Sequence, residues 1–224
     1  MFLGHFGVAL GAKEAAPKVS LGTMVLAAQF VDLLWPFFLI LGIEHVRIAP
    51  GNTVVTPLDF YDYPFTHSLL SALCWSLVLG LAYYFVRRRS RASVVIALCV
   101  FSHWILDLIT HRPDLPLGLA GSVYFGLGLW NSIAGTLIAE SVLFLAGVVL
   151  YTRATEARDK VGTYSFLAFV VLLAILYLLN LFGPPPPDER SIAILGNGGW
   201  LFVLWAYWID RHRTARLKPS PVQA

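Results

Sequence analysis

Residues 92–114 read "ASVVIALCVFSHWILDLITHRPD". Over 92–110 the stretch is apolar and long enough to cross a membrane, yet it carries His103, Asp107 and His111 at strict four-residue spacing. On a helix these three stand one above another on a single face. Ionisable groups are costly in hydrocarbon and need partners there. The segment therefore calls for a membrane bundle whose interior receives two imidazoles and a carboxylate.

The remainder of the chain agrees. It has 224 residues, 58% hydrophobic and 13% charged, with a mean hydropathy of +0.71. That is not the composition of a soluble globular domain. A bilayer core is crossed by about 20 apolar residues, and six spans are expected, at 20–43, 66–86, 92–110, 129–151, 163–182 and 191–209. The expected fold is all-α: a polytopic helical bundle of about six transmembrane helices, forming a single integral membrane domain over 1–224. "GNGG" at 196–199 should bend or break the sixth span. Residues 1–16 are too short to span. They are read as a re-entrant or half-length helix that turns at "EAAPK", around Pro17, and returns as the first span. The opening "MFLGHFGVALGA" has no positive residue before it and no clear cleavage site, so no cleavable signal peptide is expected. Cys74 and Cys99 fall inside spans and read as small core residues. "GPPPP" at 183–187 reads as a stiff extended turn.

Thirteen of the sixteen Lys and Arg lie in four places: Lys13 and Lys18; Arg87, Arg88, Arg89 and Arg91; Arg153, Arg158 and Lys160; Arg211, Arg213, Arg216 and Lys218. Six spans put all four clusters on one side, with Arg47, Arg112 and Arg190 on the other. The positive-inside rule makes the clustered side cytoplasmic, including both terminal basic segments and the 210–224 tail. Loops 44–65, 111–128 and 183–190 then face outward. The membrane bias accounts for the net charge of +3, so no nucleic-acid partner is expected.

Helical rise converts sequence position into depth. From Arg91, His103 lies roughly 18 Å up, Asp107 roughly 24 Å and His111 roughly 30 Å. Glu140 lies roughly 20 Å above Arg153, and His67 roughly 30 Å above Arg87, near the outer surface. In the N-terminal hairpin His5 and Asp32 both come to roughly 18–22 Å. Ionisable groups far apart in sequence thus converge on the middle and outer parts of the membrane, with His5, Asp32, His103 and Glu140 in one layer. Asp32 also lies one turn before Pro36, where the helix should kink.

Such a cluster is a metal site or a proton relay. A divalent cation stabilises carboxylates and accepts neutral imidazoles. Histidine and carboxylate ligands without cysteine suit zinc first, with manganese or iron as alternatives. One metal with supporting partners and two metals sharing a carboxylate both stand open at this stage. Asp107 or Glu140 is the candidate general base, and the natural reaction is hydrolysis of an ester or phosphoester. Plainer roles exist for each residue. A lone His in a span is more often a packing residue; His67 could cap a helix, and Glu140 could pair with a neighbour. Asp59, Asp62 and Asp114 read as turn residues, and His45 and His212 as solvated.

"GHFGVALGAK", an Asp in the next helix, "YPFTHSLL" and "SHWILDLITHRPD" together resemble the predicted membrane-bound metal-dependent hydrolases, the family of the LexA-binding inner-membrane hydrolase. The likeness covers 4–114 and extends to "GLWNSIAGTLIAE" at 128–140. The order of residues is also distantly similar to zinc-dependent phospholipase C. The resemblance implies His5, Asp32, His67, His103, Asp107 and His111 as metal ligands or their close supporters, and a bacterial inner membrane. The chain departs from phospholipase C at the end: it has Asn131 and then Glu140 in place of a late H-x-x-x-E, so a three-metal site is not implied. The expected function is an integral membrane metal-dependent hydrolase, its site open to the outer face and its substrate a lipid head group or lipid-linked phosphoester. The alternative is an ion or metal transporter, disfavoured by inner span halves poor in polar groups and by the absence of inverted repeats. A third possibility is a scaffold that keeps a metal for stability.

Overall fold

The computed structural model describes residues 1–120 and 123–216. Among these, five helices are long and apolar enough to cross a membrane, or six when one bent pair counts as a span. The chain runs α1 (Leu3–Ala15), α2 (Leu21–Ala28), α3 (Phe30–Ile40), β1 (His45–Ile48), β2 (Leu58–Asp62), α4 (Pro64–His67), α5 (Leu69–Arg87) and α6 (Ser90–Thr110). It continues with β3 (Leu115–Pro116), β4 (Tyr124–Phe125), α7 (Ile133–Ala154), β5 (Thr155–Ala157), α8 (Lys160–Phe182), α9 (Glu189–Gly196), α10 (Gly199–Arg211) and β6 (Arg213–Ala215). The strands form three antiparallel pairs, β1–β2, β3–β4 and β5–β6. Residues 217–224 of the expected cytoplasmic tail, with Lys218, lie outside the described residues.

The helix starts follow from local chemistry. The first N–H groups of a helix have no intrahelical acceptor, and a side-chain oxygen just before the first turn supplies one. Ser68 accepts from Ser71 N, Ser132 from Gly135 N, Asp159 from Gly162 N and Asp188 from Ser191 N. The long helices turn apolar side chains outward: Leu77, Leu145 and Leu204 are each more than half exposed. Such a surface suits lipid.

The N-terminal hairpin forms as its length and Pro17 imply. α1 lies inside the bundle and packs hardest on α7. Glycines permit this approach: a Cβ on Gly147 would lie 2.2 Å from Gly7 O, the close-packing logic of small residues in membrane helices. Buried Lys13 closes the hairpin, its Nζ 2.7 Å from both Val19 O and Asp210 Oδ1.

Two breaks differ from expectation. The first span bends by 56° between α2 and α3, but at Gln29, with Pro36 inside α3, and not at Asp32. Proline removes a donor without forcing the break to its own turn; Gln29 leaves helical geometry (φ −100°, ψ 4°). The joint at 197–198 is shallow, and Glu189–Arg211 still counts as one span.

The basic loops gather at one end. β5–β6 joins the α7–α8 connection to the end of α10, and the Arg213 guanidinium donates to Thr155 and Gly162 O beneath the rings of Tyr151 and Phe166. At the opposite end Asp59 receives Arg47 and Arg112, and Asp62 receives His45. These two aspartates, expected as turn residues, lie instead in β2 and serve as ion-pair partners across the β1–β2 pair.

Candidate metal centre

Five expected residues converge. α1 brings His5, α3 brings Asp32, α4 brings His67, and α6 brings His103 and Asp107. Two overlapping triads result, His5–His103–Asp107 and Asp32–His67–His103, each with its donor atoms all within 4.8 Å of one another. His103 Nε2 lies 3.2 Å from Asp107 Oδ2 and 3.5 Å from Asp32 Oδ1. His67 Nε2 lies 3.3 Å from Asp32 Oδ1 and 3.9 Å from Asp107 Oδ2. His5 stacks flat on His103 at 3.6 Å between centroids, and its Nε2 is 3.1 Å from Asp107 Oδ1. The Met1 amine lies 2.5 Å from the same oxygen.

Hydrogen-bond direction tests whether these atoms suit a cation. A helix end leaves carbonyls free, and one of them, Ala28 O at the α2–α3 break, accepts from His103 Nδ1 at 2.8 Å. A carbonyl only accepts, so this nitrogen carries the proton. On His67, Nδ1 lies 2.7 Å from Thr66 Oγ1. That hydroxyl spends its own hydrogen on Glu44 Oε2 at 2.7 Å, so it accepts from His67. With both Nδ1 atoms protonated, each neutral ring turns the Nε2 lone pair toward carboxylate oxygens. Acceptors facing acceptors repel unless a proton or a cation lies between them. His103 Nε2 is buried and has no hydrogen-bond partner among the described residues, as a ligand nitrogen would be.

Spacing fits as well. A tetrahedron with bonds of about 2.1 Å has edges of about 3.4 Å. Four of the six separations among His67, His103, Asp32 and Asp107 run from 3.2 to 3.9 Å. Two carboxylates would balance a divalent ion, which offsets the cost of burying them. Backbone and hydroxyl acceptors that orient ligating histidines are the usual support of such sites.

Glu44 and Thr66 escape a sequence reading. Thr66 donates to Glu44 through both its backbone N–H, at 2.8 Å, and its hydroxyl. The two are 22 residues apart, and the one visible signal is a threonine beside a histidine. Glu44 lies outside the spans. Burial pushes its carboxyl up, against the pull of the Thr66 hydrogen bonds.

His67 is deeper than helical rise implied. It is not part of α5: it ends the separate turn α4, and Ser68 is extended (φ −72°, ψ 154°). The connection tucks the imidazole inward, leaving its side chain 7% exposed. His111 joins neither triad. α6 ends at Thr110 and His111 is extended, so the row of three loses its last member. Its Nδ1 lies 3.0 Å from Asp114 Oδ1 and 3.3 Å from the Tyr63 hydroxyl. Glu140 also stands apart. Its Oε2 accepts from Phe2 N at 2.8 Å and Gly4 N at 3.3 Å, capping α1, which has no cap of its own. His111, expected as a ligand, and Glu140, expected as a base, thus lie outside both triads.

Asp32 is the one member open to space, its side chain 38% exposed. It lines a mostly apolar cavity of about 980 Å³ whose walls include residues of α3, α8, α9 and α10 and of the segment before β2. No family model, curated protein or solved structure matches the chain.

Proposed function

We propose that the chain is an integral membrane metal-dependent hydrolase of esters or phosphoesters, set in a bacterial inner membrane with its basic end in the cytoplasm. The observation that carries the reading is the pair of Nε2 lone pairs aimed at two carboxylates beside a cavity. The resemblance of its His and Asp motifs to membrane-bound metal-dependent hydrolases supports it. His67, His103, Asp32 and Asp107 would hold the ion, zinc before manganese or iron. When bound, the ion would polarise the ester or phosphoryl oxygen and lower the pKa of water toward about 7. The chain does the rest. Asp32 faces the cavity and orients the arriving group. The Asp107 carboxylate would take the proton that water gives up on attack and return it to the leaving oxygen as the ester bond breaks.

Transport has one observation in its favour. A second cavity, of about 560 Å³, is lined by Lys18, Thr23, Ala27, Arg87 and Tyr207 among others. Ala27 lines this cavity and Gln29 the first, with only buried Ala28 between them in the chain.

Elemental mass spectrometry on detergent-purified protein, before and after zinc supply, tests the site, alongside hydrolysis of bis(p-nitrophenyl) phosphate and p-nitrophenyl acetate. The expected result is at least about one equivalent of metal and hydrolysis in wild type, both lost in His103→Ala and Asp32→Ala. Wild type that stays empty after zinc supply overturns the metal reading. Metal-loaded protein that is inert but carries zinc across vesicles overturns the hydrolase in favour of transport.

A further inference from the structure

The basic end of the bundle holds a recess that the candidate metal centre does not use. Its volume is about 560 Å³, and its walls come from the α1–α2 connection, α2, α5, the α5–α6 connection, α6 and α10. Local chemistry builds it. Ser20 ends the connection after Pro17 and caps α2, accepting from Thr23 N at 3.2 Å. Gly22 has no side chain, so the ring of Tyr207 from α10 lies against it: a Cβ there would stand 2.2 Å from Tyr207 Cγ. The phenol hydroxyl thereby meets Thr23 Oγ1 at 3.0 Å, and Thr23 Oγ1 meets Ser20 Oγ at 2.7 Å. On α5, Leu79, Ala82, Tyr83 and Val86 fall at i, i+3, i+4 and i+7, one face of a helix, and all four line the recess.

Its charge is one-sided. Lys18, Arg87 and Arg89 line the recess, and no Asp or Glu does. All three are exposed, and none forms an ion pair among the described residues. Other cations of the chain are held: Lys13 by Asp210, Arg47 and Arg112 by Asp59. The positive-inside rule accounts for basic residues at this end. It does not account for a recess between them lined by the hydroxyls of Ser20, Thr23 and Tyr207. Three like charges around a partly apolar hollow repel one another and focus the field within it, so an anion there stabilises all three.

We propose that this recess binds a phosphate monoester, its phosphoryl oxygens accepting from Lys18, Arg87 and Arg89 and its organic part lying against Leu79, Ala82 and Val86. A phosphoryl group offers three acceptor oxygens and a charge of about −1.5 to −2 near neutral pH. A carboxylate offers two oxygens and a single charge, too little for three cations. A metal ion entering from this end would meet like charge first, which counts against the recess as a mouth for metal transport. The site needs neither the ion nor the chemistry of the candidate centre. Phosphorylated solutes and lipid head groups both present the required chemistry.

Calorimetric titration of chelator-treated protein in detergent tests the site, with glycerol 3-phosphate as the soluble probe and dioctanoyl phosphatidic acid as the lipid one. Glycerol and dioctanoylglycerol are their phosphate-free counterparts. At least one ester should bind about tenfold or more tightly than its counterpart. Equal binding of both esters identifies a soluble ligand, and binding of the lipid alone identifies a head group. Arg87→Gln/Arg89→Gln should weaken binding by about tenfold. Arg88→Gln/Arg91→Gln removes the same charge from exposed neighbours that do not line the recess, and should stay within about twofold of wild type. Leu26→Trp fills the recess with every charge in place and should also lose about tenfold. Elution volume and melting temperature report the folding of each variant. Equal loss in the two double variants reveals attraction to the basic end at large and overturns the site. Unchanged binding in Leu26→Trp overturns it as well, as does wild type that binds neither ester. Binding that appears only when zinc is restored, and is absent from His103→Ala, belongs to the metal centre and overturns the recess as its place.

Discussion

At the scale of single residues, the candidate centre is shaped by side chains outside its two triads. His67 presents Nε2 only because Thr66 accepts from its Nδ1, and Thr66 is held in turn by Glu44. Thr66→Val keeps the shape and deletes the hydroxyl. It leaves His67 free to rotate and the buried Glu44 carboxylate with one donor fewer. Partners of this kind typically govern metal affinity by 10–100-fold. Titration against a chromogenic chelator should show zinc affinity falling by about that factor, with recovery in Thr66→Ser. Equal affinity in Thr66→Val would reduce the chain from Glu44 to a packing contact. The sequence made His103 and Asp107 visible, because an i, i+4 pair on an apolar helix has one obvious face. It misplaced His67, because rise per residue describes a straight helix and residues 64–68 are not one. Glu44 left no trace, since only the tertiary fold brings it beneath Thr66.

Elements are joined by polar contacts at their ends, and one of these should answer to pH. Asp159 caps α8 through Gly162 N at 2.8 Å and meets His212 Nδ1, just beyond α10, also at 2.8 Å. The His212 hydrogen bond first, and the Gly162 N–H second, hold its carboxyl below the ordinary 3.8. A carboxylate with a folded-state pKa below its unfolded one adds stability above the unfolded value. That stability is lost as the pH falls through the folded value. Wild type in detergent should therefore melt higher than Asp159→Asn at pH 6, and the two should converge as the pH drops below about 3.8. A constant gap down to pH 3 would show that ionisation of Asp159 does not tie α8 to α10. The caps were legible in outline, since Ser, Asp and apolar runs mark helix starts. The bend at Gln29 was not, because Pro36 is the louder breaker in the sequence. The chain bends where the His103–Ala28 hydrogen bond and the packing of α1 require it.

For the whole molecule, the open matter is from which side of the membrane the Asp32 cavity is reached. The positive-inside rule would make the end that carries the Lys and Arg clusters cytoplasmic, and β5–β6 joins the α7–α8 connection to the end of α10 there. The cavity opens toward the other end: loop residues 50–58 and Pro184, Pro185 and Pro186 line it. If charge sets orientation, the candidate centre is reached from the outer side. Cysteine labelling decides this, because Val54 is 56% exposed at the cavity end and Lys160 is exposed at the basic end. Cys74 is exposed and Cys99 buried, so both are first replaced by serine. In intact spheroplasts, a membrane-impermeant maleimide should label Val54→Cys. Lys160→Cys should react only after permeabilisation. The reverse pattern would turn the protein over and open the cavity to the cytoplasmic side. It would also mean that some feature other than the clustered arginines orients the bundle, since each Lys or Arg beside a short loop biases insertion the same way.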